Sequence, residues 1–479
     1  MLQNKSNRII SEIQSFFSSN EKAAYSILNV LSSLTISRNL FSDKINTVYS
    51  GKNLLLLLLL FPFFEIKDIG HYSCSALYRF VKAGKDTFYR FLNDSNTNWR
   101  NIVYSITVKL LKNVESSSIE KDPKPIRCLI VDDTDFPKTG SKTELIGRVF
   151  SHVGYKSILG FKGLFLCYHD GKSLFTLDYS FHGEKGKNEK RPFGLTKKEA
   201  KSRYNKKREK SSEGLKRIDE YLQSKVMCTI MMIRRAIKKG IRFDYLLVDS
   251  WFTCTELISF IKTRHIGCHF LGMIKMGNTK YNFNGKQQTS KEIAHSLQRG
   301  KKVKRNKQLN CWYCQATVKL RDTEVKLFFC KNSRKGKWNG LLSTNTKLDF
   351  AEAYQIYSTR WTVEIYFKES KQHLGLGKCQ SRDFDGQIAH TAICMLQYNL
   401  LSVVKRFEDY ETIGELFRTA QADTLELTVK ERIWQIIIEI MAELAELLEI
   451  DIEMLMEKLF AENEKFIKLL NYKSWSQTG

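Results

Sequence analysis

Acidic residues are scarce in this chain: 51 Asp and Glu stand against 77 Lys and Arg, a formal charge of +26. A field of that size and sign points to a polyanion, either nucleic acid or an acidic membrane surface. A membrane-spanning stretch is also missing. The most apolar run, Leu54–Leu60 followed by Phe61, Pro62, Phe63 and Phe64, is 11 residues long and contains a proline. It is too short to cross a bilayer and reads as a buried helix, so no membrane partner is expected. The opening MLQNKSNRIISEIQ lacks the apolar core of a signal peptide, which predicts a cytoplasmic protein. Eleven cysteines show no disulfide rhythm, in keeping with a reducing compartment. Cys311 and Cys314 make one C-x-x-C, but a structural zinc needs four ligands and no second pair stands at suitable spacing. They read as strand cysteines, and Cys330 and Cys379 stand alone. Proline is rare as well, 5 in 479 residues, and with 42% hydrophobic residues the chain can fill two to four domains and a sizeable core.

The charge is unevenly spread. Residues 411–473 hold 14 Asp and Glu against 7 Lys and Arg, a net −7, so the remainder carries +33. Residues 1–120 read as a helical N-terminal domain and a candidate for DNA binding, in which KDTFYRFLNDSNTNWR mixes aromatics with cations. Alternation begins with RCLIV, which leads into Asp132, Asp133 and Thr134, and two strands follow around Phe161–His169 and Ser173–Phe181 with an HDGK turn between them. Lys185 to Arg217 then carries 14 Lys and Arg against 4 Asp and Glu. A solvated linker and a DNA-contacting arm both fit this stretch. The arm is preferred because the run interrupts a domain instead of ending one. Helix (227–239), strand (Tyr245–Val248, ending at Asp249), helix (255–264) and strand (268–275) come next. These alternating elements predict an α/β fold with a mixed sheet, its first part spanning 121–278 with the basic arm at 183–225. A β-rich insertion covers 279–338. The second part of the core, 339–400, starts with a short strand at Gly340–Ser343, and an acidic helical region, 401–479, is suited to dimerisation.

YSTRWTVEIYFKESK contains no Gly or Pro and reads as one helix. At about 100° per residue, Tyr357, Arg360, Glu364 and Lys371 share an arc of roughly 60°, with Lys368 just beside it. Arg360, Glu364 and Lys368 also have the spacing of an ordinary salt-bridged face. The two Asp-tipped strands favour a functional stripe. If those strands are neighbours, Asp132 and Asp249 emerge at one sheet edge, and a helix over that edge brings Glu364 to them. Oxygen-only ligation of this kind suits Mg²⁺ or Mn²⁺, and two such ions roughly 3.5–4 Å apart serve phosphodiester chemistry.

VDDTDFPKTG, YLLVDSWF and YSTRWTVEIYFKESKQHLGLG resemble the catalytic blocks of DDE transposases from bacterial insertion sequences, in particular the group with the signature Y-x2-R-x3-E-x6-K. Tyr357, Arg360, Glu364 and Lys371 match that signature at every spacing. KDTFYRFL followed by NWR resembles the same group, so the likeness covers about residues 50–400. It implies an RNase H-like catalytic core with a β-strand insertion, and a triad of Asp132, Asp249 and Glu364 holding two Mg²⁺ or Mn²⁺ ions. The family pattern selects Asp132 over Asp133. It further implies that Tyr357, Arg360 and Lys371 grip the DNA backbone, and that an aromatic such as Trp338 stacks on an unpaired base. Lys368 and the arm residues Lys197, Lys198, Lys206, Lys207 and Arg208 complete the expected DNA contacts. The implied activity is cut-and-paste transposition at the nucleoid: a homodimer on double-stranded DNA binds inverted-repeat ends, cleaves at them and joins them to target DNA. A nuclease without strand transfer and a catalytically spent DNA-binding protein are the alternatives.

Overall fold

The two apolar runs that end in aspartate become neighbouring parallel strands inside a twelve-stranded mixed sheet. The computed structural model describes residues 5–14, 23–41, 43, 47–116, 125–263 and 267–447. The chain divides into two compact units, one of Trp99–Met395 and one of Met1–Asn98 with Leu396–Gly479.

The first unit holds the sheet. Its strands are β1 (Cys128–Pro137), β2 (Gly147–Ser151), β3 (Lys156–His169), β4 (Leu174–His182), β5 (Tyr245–Val248), β6 (His269–Ile274), β7 (Lys280–Phe283), β8 (Lys286–Thr289), β9 (Lys304–Asn306), β10 (Cys311–Leu320), β11 (Thr323–Lys331) and β12 (Asn339–Ser343). They run in the order β2-β3-β1-β5-β6-β12-β11-β10-β7-β8, with β4 also paired to β3 and β9 to β10. β1, β3 and β4 form an antiparallel meander, while β5 and β6 lie parallel to β1. β5 is Tyr-Leu-Leu-Val and wholly buried, the apolar run expected of a parallel strand covered on both faces. β12, expected as part of the core, pairs β6 on one side and β11 on the other. The strands of 279–338 therefore prolong the same sheet.

The helices Trp99–Ser116, Glu213–Leu222 and Lys225–Lys238 pack on β4. Beneath them Asp178 is fully buried and takes Arg100 Nε and Arg235 Nε, each at 2.8 Å. Burial pushes the Asp178 carboxyl up, and the two guanidinium groups more than reverse this, to about 2. Trp99–Ser116 thus belongs with the sheet, although the sequence places it in the N-terminal helical domain.

The expected basic arm needs correction. Lys185–Arg217 is folded onto the sheet unit: Thr196 and Glu199 form a capping box on the helix Lys197–Ser202, and Ser212 caps Glu213–Leu222. Lys206 Nζ reaches Asp383 and Asp385, both at 2.8 Å, and Arg208 bonds Glu144 at 2.6 Å and Asp385 at 3.0 Å. The Arg208 side chain is only 2% exposed. Acids far away in sequence have consumed these two cations, so Lys206 and Arg208 are internal ion-pair partners and not free DNA contacts. Lys197, Lys198 and Lys207 remain exposed. Cys311 and Cys314 lie on β10, as expected, and both are free thiols.

In the second unit the run from Leu54 is buried in the helix Gly51–Leu60. No described helix is long and apolar enough to cross a membrane. Gln397 Nε2 donates to the Leu58 carbonyl at 3.0 Å, and Gln421 Nε2 to that of Pro62 at 2.8 Å. The helices from the two ends of the chain therefore make one body, where the sequence suggests separate regions, 1–120 and 401–479. The described part of the acidic end is the helix Ile413–Leu447, and the amphipathic continuation from 448 lies outside the described residues.

Removing one partner of a buried ion cluster costs about 3–5 kcal/mol. Arg208→Ala should lose stability on that scale in denaturant unfolding, whereas Lys207→Ala, one residue away and exposed, should change it by less than about 0.5 kcal/mol. Equal effects would return Arg208 to the surface.

Candidate active site

Register brings the two aspartates together. Val131 of β1 is opposite Val248 of β5 in a parallel pair, so the next residues, Asp132 and Asp249, lie side by side where β5 ends and β1 continues along β3. Asp249 caps the turn at the end of β5: its Oδ1 accepts from Trp251 N at 2.9 Å and Phe252 N at 3.1 Å. Glu364 arrives on the helix Trp361–His373, which packs against β1 and β4. Its seat is aromatic. Phe165, the β3 partner of Asp132, meets the rings of Tyr366 and Phe367 at 5.7 and 5.4 Å.

The stretch read as one helix is two, Phe350–Ser358 and Trp361–His373. At the joint the backbone tightens to i→i−3 bonds, Thr359 N to Ile356 O at 3.2 Å and Arg360 N to Tyr357 O at 3.0 Å. Tyr357 therefore ends the first helix, and Arg360 stands just before the second. All four signature residues nevertheless point at the same sheet edge. Tyr357 Oη donates to the Val248 carbonyl at 3.2 Å, and Lys371 Nζ to Thr134 Oγ1 at 2.6 Å. Arg360 lies between two of the carboxylates: Nη1 is 2.7 Å from Asp132 Oδ2 and Nη2 is 2.5 Å from Glu364 Oε1. Lys368, on the same helix, is exposed.

Strand alternation separates the ambiguous pair. Asp132 faces Arg360, while Asp133 is ion-paired with Lys225, whose Nζ also lies 4.5 Å over the Trp251 ring. Asp135 is likewise paired, with Lys162. Burial drives the Asp132 carboxyl up to about 7; Arg360 opposes this and Asp249 adds to it. Burial also raises Tyr357 to about 12 and lowers the Lys371 ammonium from its ordinary value.

Residues 224–400 match the family model described as Transposase DDE domain, a span that includes Asp249 and Glu364 but not Asp132. The match supports a DDE transposase. No curated protein matches the chain. Among solved structures, the piggyBac transposase synaptic complex with hairpin DNA is 12% identical with a TM-score of 0.43, over 88% of this chain and 81% of that one. The NurA nuclease from Sulfolobus solfataricus is 10% identical with a TM-score of 0.23, over 54% of this chain and 82% of that one. Likenesses so distant carry no functional weight.

The donor chemistry here fits the hard divalent cation of a DDE transposase: three carboxylates, two of them at neighbouring positions across the β1–β5 pair. Two of them, Asp132 and Glu364, are bridged here by another cation. Among the described residues no three of His, Cys, Asp and Glu are grouped tightly enough to hold an ion, and the Arg360 guanidinium supplies the positive charge that Asp132 and Glu364 require. Trp338 is 9% exposed, and Lys331 Nζ lies 4.4 Å over its ring. In this conformation it offers no open face for a base. Sequence reasoning missed Thr134 and Lys225, which hold Lys371 and Asp133, and also Trp251, 45% exposed and two residues after Asp249. The SWF after the strand was the available signal for Trp251; the other two needed the fold.

A raised pKa means that the folded state holds the Asp132 proton more tightly than the unfolded chain does. Its contribution to stability therefore falls as pH rises from about 4 to about 7. Asp132→Asn should melt higher than the parent above pH 7, and the two should converge near pH 4. A variant that melts lower than the parent at pH 8 would show that the Arg360 pair outweighs the burial.

Proposed function

We propose that this protein is a DNA transposase of the DDE type, with Asp132, Asp249 and Glu364 as its metal-binding triad and a pair of Mg²⁺ or Mn²⁺ ions as cofactor. The observation that carries this reading is the placement of Asp132 and Asp249 side by side where β5 ends against β1, with Glu364 tied to Asp132 through Arg360. The strand order β4-β3-β1-β5-β6 supports an RNase H-like core, and the Transposase DDE domain match supports the chemistry.

Bound at the triad, divalent metal would supply activation of the attacking oxygen and charge neutralisation at the phosphodiester. The chain's own groups hold the substrate. Arg360 presents a planar fork and Lys371 a point charge at the sheet edge, and both suit backbone phosphate. Tyr357 closes the end of β5 beside them. Exposed Lys197, Lys198, Lys207 and Lys368 add positive surface for duplex DNA. The reaction is cut-and-paste: a dimer on DNA pairs the inverted-repeat ends of its own element, cleaves at them, and directs the freed 3′-OH to target DNA. Its place of work is the cytoplasm, at the nucleoid.

A duplex taken from the flanks of the gene tests this. Cleavage should need Mg²⁺ or Mn²⁺, stop on chelation, and vanish in Asp249→Asn and Glu364→Gln while the paired-end complex still forms. Arg360→Ala and Lys371→Ala should instead weaken that complex about 10- to 150-fold, the loss of a charge-assisted contact of roughly 1.5–3 kcal/mol. Cleavage without joining would make the protein a nuclease, and full activity in Asp249→Asn would remove the triad.

A further inference from the structure

The β2–β3 hairpin takes no part in the carboxylate site, yet it grows out of the same sheet edge. Along β1, Asp132 is opposite Phe165 of β3 and Pro137 is opposite Gly160. Past Gly160 the partner of β3 changes to β2, with Gly147 opposite Gly160 and Ser151 opposite Lys156. Gly160 allows the exchange: its φ is +156°, and a Cβ there would sit 2.1 Å from the Phe136 carbonyl oxygen. From Phe165 to Lys156, β3 travels about 30 Å at roughly 3.3 Å per residue. It travels in the direction in which β1 and β5 deliver Asp132 and Asp249, so the hairpin tip stands out beyond the carboxylates.

The surface of the tip is unlike a solvated turn. Val153 is 93% exposed, Tyr155 83% and Phe150 37%. The Phe150 ring meets His152 edge-on at 5.2 Å. Tyr155 has φ +48°, in the left-handed region where a side chain is strained and Gly or Asn is the usual occupant. A large ring held in water by a strained residue does nothing for the fold that a glycine would not do. Cations stand at its base. Lys156 is exposed, and the segment after β4 lies along β2: Phe150 N donates to Glu184 Oε2 at 3.0 Å, and a Cβ on Gly147 would meet Phe193 Cβ at 3.0 Å. That segment exposes Lys185, Lys187, Lys190 and Arg191, none of them in an ion pair among the described residues. Glu184 and Glu189 are its acids and leave it positive.

We propose that the tip is a DNA wedge: Val153 and Tyr155 insert between base steps while Lys156 and the Lys185–Arg191 segment hold the flanking phosphates. Apolar side chains that part a base step need a protruding apolar tip with cations beside it, and this hairpin has both. At about 3.4 Å per base pair, a tip about 30 Å from the carboxylates meets the duplex roughly nine base pairs from the bond that is cut. The proposal rests on the DNA-strand chemistry proposed above, but its test reads binding and not cleavage.

The full-length parent, Tyr155→Gly and the double variant Val153→Ser/Tyr155→Ser are compared on a duplex from the flanks of the gene and on an unrelated duplex of equal length. Tyr155→Gly should melt no lower than the parent, because its backbone suits glycine. It should nevertheless bind the flank duplex about five- to 150-fold more weakly, the range for losing an aromatic stack on a base. The nuclease-protection pattern should lose the positions roughly nine base pairs from the cleavage site. Parent-like affinity and protection in both variants would overturn the proposal. A lower melting temperature for Tyr155→Gly would make the ring structural and overturn it too. So would dissociation of a DNA-free dimer with duplex affinity unchanged, which would assign the tip to a protein partner. A parent that binds and protects the duplex but never cuts it refutes the transposase reading alone and leaves the wedge result readable.

Discussion

Burial of a carboxylate at Asp132, beside a second one at Asp249, is the constraint around which the site is arranged. Pairing Val131 with Val248 leaves Asp132 and Asp249 no choice but to emerge together. Burial strengthens the repulsion by removing the water that would screen it. In this conformation the answer is Arg360, whose guanidinium spans Asp132 and Glu364. Its backbone position comes from the tightened turn between two helices. Its reach is set by the contact of Tyr366 and Phe367 with Phe165, the residue opposite Asp132. In the proposed reading the same side chain is counter-ion to the carboxylates here and grip on phosphate when DNA is bound.

Elsewhere in the sheet unit, charge is handled in the same manner. Asp133 is met by Lys225, Asp135 by Lys162, Asp178 by Arg100 and Arg235, and Glu144 by Arg208. Each pair joins elements distant in the chain. An unpaired charge in these places would be too costly to keep, so the pairs fix which helix and loop lie on which strand. Pairing consumes acids and cations alike, so the basic excess stays with the cations left over. The cations left on the surface, Lys185 to Arg191 among them, are the ones available to a polyanion.

Several features were legible in the residues. RCLIV and YLLV, each followed by aspartate, announced buried strands, and alternation announced the mixed α/β sheet. The spacing of Tyr357, Arg360, Glu364 and Lys371 announced that all four face the same part of the sheet, even though the helix breaks at Thr359 and Arg360. The hairpin of β3 and β4 was visible because HDGK lies between two apolar runs. Other features were hidden. The roles of Lys206 and Arg208 depend on Glu144, Asp383 and Asp385, and no local pattern reports such partners. β12 reads as an isolated short strand until β6 and β11 are seen on either side of it.

The sequence by itself determined which residues could carry the chemistry: carboxylates follow directly where apolar strand runs stop, and near-helical spacing places side chains on one side. Those are local properties of the chain. Only the tertiary structure decided what each charge faces. That choice put Asp132 toward Arg360 and Asp133 toward Lys225, covered Trp338 with Lys331, and left Tyr155 alone in solvent at the hairpin tip. The physical reason is that desolvation and ion pairing act between residues brought together through space, and folding settles both at once.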